Sequence, residues 1–222
     1  MATTTNAHLF KLLQLSSVSL PVGGYSFSQG MEWACEEAWI TNVQETQTWL
    51  TSQIFHSLAP VDLALVFHSH RAVKQGSDAL TELNDLSLAC RETQELRMME
   101  VAMGKALHRW ANNLDLAIQW QVEEPSFVVL FSVISSHWGI DADQTASGFA
   151  WSWLENQVQA ATKLVPLGQT QAQQLLVALQ PELSTAVSRA KQINLEQIGA
   201  GLPGLAIASA KHETQYSRLF RS

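Results

Sequence analysis

Charged residues are scarce in this chain. Asp, Glu, Lys and Arg make up 15% of its 222 residues, against roughly a quarter in ordinary soluble domains. Basic residues are the scarcer sign, 13 against 20 acidic, for a formal net charge of -7. That balance excludes a nucleic-acid binder, because attraction to phosphates needs clustered Lys and Arg. Only two cysteines are present, Cys35 and Cys90, far apart and without a CxxC pair. No basic stretch followed by an apolar core opens the sequence. Both observations lead us to expect reduced thiols and a cytoplasmic location. Long apolar runs are missing too. The longest, Phe127 to Ile134, is interrupted by Ser132 and falls well short of the roughly 18 residues that a membrane-spanning helix needs.

Catalytic and ligand-binding constellations are equally sparse. The seven histidines include no HxxxH, HExxH or Cys/His cluster, so a dedicated metal site is not expected; His212 is the weak candidate. A phosphate loop requires GxxxxGK[ST], and no Lys follows Gly30. Ser26-Phe27-Ser28 lacks the nucleophile-elbow pattern. The expectation is a non-enzyme that binds no cofactor of its own. The alternative is a helical metal-dependent enzyme built on Glu123, Glu124, His108 and His137.

What the chain does have is apolar area. Hydrophobic residues reach 46%, with eight Trp, which suggests that another chain covers part of the surface. Helical periodicity dominates, as in the stripe Leu96, Met99, Met103, Leu107, Trp110, Leu114. Asp141 with Gln144 predicts a capped helix running to about Leu164, ended by Pro166 and Gly168. Thr41 with Gln44 predicts another to about Leu58, and Pro60 a restart running to Lys74. Phe127 to Phe131 reads as a helix that could also pass for a buried strand. The expected fold is an all-α, single-domain helical bundle over residues 1–204. Gly199, Gly201, Pro203 and Gly204 would then hinge a mobile C-terminal tail, residues 205–222.

Four segments stand out. Residues 20–32, LPVGGYSFSQGME, form a glycine-rich turn ahead of a helix in which Glu32 sits in the first turn. Residues 90–97, CRETQELR, concentrate charge in a charge-poor chain, and Arg91 and Glu95 are spaced to pair on one helix face. Residues 163–169, KLVPLGQ, form a rigid corner flanked by Lys163 and Gln169. Residues 211–222, KHETQYSRLFRS, place Tyr216, Leu219 and Phe220 beside Arg218 and Arg221. Such residue types are favoured at protein interfaces.

In this order, the four segments resemble the motif blocks of the UreF family of urease accessory proteins. Met31 stands where Leu is usual, and Lys211 where Arg is usual. The resemblance implies a homodimeric accessory subunit for nickel insertion into apo-urease, bridging UreD (also called UreH) and the GTPase UreG. It implies a role in coupling GTP hydrolysis to metal delivery, with nickel handled by the assembly. A GTPase-facing surface is expected around Glu32, Lys163 and Gln169, and a UreD-facing tail at Tyr216, Arg218, Leu219, Phe220 and Arg221.

Overall fold

A computed structural model describes residues 6–116, 118, 120–199 and 201–222. No strand occurs among the described residues; the secondary structure is helical throughout. Helix α1 (Asn6–Leu15) leads through the glycine-rich turn to the short α2 (Met31–Glu36). Gly30 initiates α2 with φ +76°, a left-handed conformation that disfavours side chains. A Cβ there would also lie 2.9 Å from the Ser209 nitrogen, so α2 and the segment carrying Ser209 approach at backbone distance.

Local capping chemistry sets most helix starts. Asn42 opens α3 (Val43–Gln53) by accepting the Glu45 N–H at 3.0 Å, while the Glu45 carboxylate takes the Thr41 N–H. The cap therefore lies one residue beyond the expected Thr41, on the better N-cap residue. Pro60 does not restart a helix either. A π-helical stretch, Ile54–Leu63, carries the chain from α3 directly into α4 (Ala64–Ala72). Proline lacks the N–H and crowds the carbonyl one turn back, and a widened turn accommodates both. The continuous Val43–Ala72 helix has 30 residues and a mean hydropathy of 1.3 over its most apolar window. By length and composition alone it could cross a membrane, a candidate that a search for apolar runs passes over because polar residues interrupt it. Yet 67% of that window is buried inside the fold.

Four helices follow α5 (Ser77–Ala89): α6 (Gln94–Asn113), α7 (Phe127–His137), α8 (Ala142–Leu164) and α9 (Gln169–Ala190), and α10 (Pro203–His212) closes the series. Asp141 caps α8 by accepting the Gln144 N–H at 2.8 Å, as expected. Thr93 and Ser126 cap α6 and α7 in the same way. Helix α7 is the centre. Phe127 through Ser135 are all buried, and α1, α4, α5, α6 and α8 pack around it. A helix apolar on every side belongs in a core, so the strand alternative for Phe127 to Phe131 is not realised. Phe131 meets Phe149 of α8 edge-to-face, with ring centroids 5.3 Å apart. Gly104 lets α6 touch the loop before α7: a Cβ there would sit 1.9 Å from the Pro125 carbonyl oxygen. Of the expected hinge, Ala200 lies outside the described residues. A Cβ at Gly199 or Gly201 would meet nothing within 4 Å.

Candidate functional site

Helix α10 packs on α2 and α6, and this brings the C-terminal segment over Glu32. The segment is docked and does not extend free of the bundle. Leu205, Ala208, His212, Phe220 and Ser222 are buried, so residues 205–222 pack into the same body as the helices before them. The physical reason lies beneath them. Glu32 is only 7% exposed, and its carboxylate accepts the Leu219 N–H at 2.6 Å and the Phe220 N–H at 2.8 Å. One carboxylate thus satisfies two consecutive backbone donors that a free tail would leave to water. Arg221 N–H donates to the Ser26 carbonyl at 2.9 Å, and the Ser222 carbonyl accepts from the Gln29 N–H and from Ser28 Oγ. These bonds lay the tail alongside the glycine-rich turn.

His212 locks the arrangement from inside. It is fully buried, with Nδ1 2.7 Å from Glu95 Oε2 and Nε2 3.0 Å from Glu32 Oε2. Arg218 bonds the other Glu95 oxygen, and Thr93 Oγ1 meets Ser209 Oγ at 2.7 Å. Two cation–ring contacts flank the tail: the Arg221 guanidinium stands 5.6 Å from the Phe27 ring, and Lys163 Nζ 5.3 Å from the Phe220 ring. Because the two His212 nitrogens point to carboxylates on opposite sides of the ring, the three groups do not converge on a point. Among the described residues no group of three or more His, Cys, Asp and Glu side chains could hold a metal ion. The four residues of the alternative enzyme reading are not brought together either. Glu124 pairs instead with Arg97 at the surface, at 2.7 Å.

A second buried polar network lies on the inner side of the same α6 N-terminus. Arg91 bonds Asp62 at 2.6 Å and Glu100 at 3.0 Å. Glu100 Oε1 also accepts Ser126 Oγ–H at 2.6 Å and the Val128 N–H at 3.0 Å. Burial opposes the charge on Arg91, but Asp62 and Glu100 outweigh it and hold its pKa above the usual value. Burial pushes Asp62 up, with Arg91 pulling the other way and Glu100 adding to the rise. The expected pairing of Arg91 with Glu95 does not form. Arg91 precedes the Thr93 cap and points to one network, while Glu95 lies inside α6 and points to the other. Both cysteine thiols are held protonated: burial, then Glu32, pushes Cys35 up to about 11, and burial raises Cys90.

The expected GTPase-facing trio is divided. Glu32 is buried under the tail, Lys163 is exposed against Phe220, and Gln169 is exposed at the start of α9. Ser28 belongs to the site and was not singled out from sequence, and Glu95 was noted only as a partner for Arg91. Both lay within noted segments, and the charge of Glu95 in a charge-poor chain was the available signal.

These contacts place residues from all four motif segments in one assembly. The UreF family profile matches residues 40–180. This chain belongs to the UreF family of urease accessory proteins. It is 54% identical to the urease accessory protein UreF of Marinomonas sp. (strain MWYL1), over 99% of this chain and 96% of that protein. Identity is 43% to the UreF of Alkalilimnicola ehrlichii across the whole of both chains, and 42% to that of Teredinibacter turnerae across 98% of this chain and all of the other. In UreF terms, the motif segments spread along the sequence are thus parts of one tail-docking site.

Proposed function

We propose that this chain is the bridging, non-catalytic subunit of a urease maturation assembly. It joins UreD (UreH) to the GTPase UreG on apo-urease and regulates the coupling of GTP hydrolysis to nickel delivery, as a cytoplasmic homodimer. Nickel and nucleotide are held by the other chains, and this one contributes by binding partner states unequally, which is how a regulator shifts an equilibrium. The observation that carries this reading is the convergence of the four family motif segments on the docked tail. A chain that commits two buried carboxylates and a buried histidine to fixing twelve residues is building a surface. The outer face of that tail carries Tyr216, fully exposed, and Leu219, 64% exposed, beside Arg218 and Arg221. This face is the UreD-binding surface, with Phe220 as its inward anchor. UreG docks near Lys163 and Gln169, with Glu32 acting from beneath through the tail.

Removing residues 211–222 would strip Glu32 and Glu95 of their partners, so point changes on the outer face test the reading more cleanly. Tyr216→Ser with Leu219→Ser alters exposed side chains only, and such changes usually cost under about 0.5 kcal/mol each. In a urease gene cluster lacking its own UreF, the double variant should melt like the parent, fail to co-purify UreD and leave urease inactive. A stable double variant that retains UreD in full would overturn this assignment of the surface.

A further inference from the structure

The geometry points to Lys163 as a positioning residue for the C-terminal tail, acting through Phe220. Lys163 lies in the last turn of α8 and is exposed, whereas Phe220 is 5% exposed. The ammonium stands 5.3 Å from the Phe220 ring centroid, within cation–π range. No carboxylate of the described residues forms an ion pair with Lys163, so its charge is directed at the ring. The same phenylalanine is held from the inner side, where its N–H donates to Glu32. Phe220 is therefore gripped twice: its backbone by a carboxylate below, its ring by a cation at the surface. The competing role for Lys163 is complementing the C-terminal dipole of α8, which would be indifferent to Phe220. Where this bears on the bridging proposal, it makes any effect of Lys163 on partners an effect of how firmly the tail is held.

The test uses the full isolated chain, so its failure is independent of the bridging reading. Amide exchange at Leu219, Phe220 and Arg221 reports tail docking, because each of these N–H groups bonds across to the bundle. Lys163→Met keeps the stem and removes the charge. It should speed exchange at those three amides about two- to fivefold, the factor an exposed cation–π contact supports, and leave α7 unchanged. Lys163→Arg should restore protection. In a Phe220→Leu background Lys163→Met should have no further effect; if that background already releases the tail, Phe220→Tyr, which keeps the ring, must keep full sensitivity to Lys163→Met. Unchanged exchange in Lys163→Met, or an equal effect with and without the ring, would overturn the inference.

Discussion

Arg91→Met is the substitution with the clearest energetic consequence. Methionine fills similar volume and removes the cation that pairs with both Asp62 and Glu100, whose side chains are 11% and 4% exposed. Removing one partner of a buried ion pair costs about 3–5 kcal/mol, because the remaining charge is left uncompensated. Two carboxylates remain here, so the upper part of that range applies. Spread over a chain of this size, the loss lowers the melting temperature by roughly 8–20 °C. The cost should depend on pH with a definite sign. Burial and the nearby Glu100 already raise Asp62, and Arg91 is what pulls it down; without Arg91 its folded pKa rises further. A carboxyl with a raised folded pKa contributes stability that is complete below its unfolded value and lost as pH rises through the folded one. The gap between Arg91→Met and the parent should therefore widen from pH 4 upwards and narrow under acid. Adding Asp62→Asn should recover part of the loss. Calorimetric melts across pH decide it. A pH-independent loss below 1 kcal/mol, with urease activation abolished in a folded protein, would mean that Arg91 serves a partner and that the buried network has been misjudged.

Glu32→Ala removes the acceptor shared by Leu219, Phe220 and His212. Each stranded donor would cost about 1–3 kcal/mol if kept buried, but undocking lets water satisfy all three. The expected result is loss of amide protection at residues 219–221 with the core of α7 still protected, and loss across the whole bundle would contradict it. Gly104→Ala forces a methyl onto the Pro125 carbonyl and should cost about 1–3 kcal/mol by overpacking, seen as a lower melting temperature. Burial holds His70 below the usual imidazole value of 6.5, with Asp141 opposing and Lys74 assisting. A base with a lowered folded pKa contributes stability present above its unfolded pKa and lost as pH falls through the folded one. Stability should therefore decline as pH drops below 6.5, and His70→Gln should flatten that slope in melts between pH 7 and 5.

Features set by neighbouring residues were the most legible. The Asp141 cap and the α6 stripe follow from spacing alone, and Leu96, Met99 and Leu107 are indeed buried. Pro60 misleads because a π-helical turn, which has no composition signature, absorbs it. Arg91 and Glu95 mislead because i,i+4 pairing assumes that both lie within a helix, and Thr93 starts that helix between them. The tail was recognisable as unusual from Tyr216, Arg218 and Phe220. Its dock was not, since Glu32 looks like any first-turn carboxylate until residues far along the chain are laid over it. Non-local pairing of this kind leaves no periodic trace in a sequence.

That separation also orders events in time. Glu32 and His212 are 180 residues apart, and Ser28 and Ser222 are 194 apart. At typical translation rates Glu32 waits about 10–35 s for its partners to be made. Until then Glu32 and Glu95 lack the histidine that stands between them and the arginine that pairs with Glu95, so the contacts joining the glycine-rich turn to the α6 N-terminus are incomplete. The face carrying Tyr216 and Leu219 consequently takes its form only after the turn and the α6 N-terminus beneath it have been made. Any partner that reads that face is therefore reading contacts that join distant stretches of the chain.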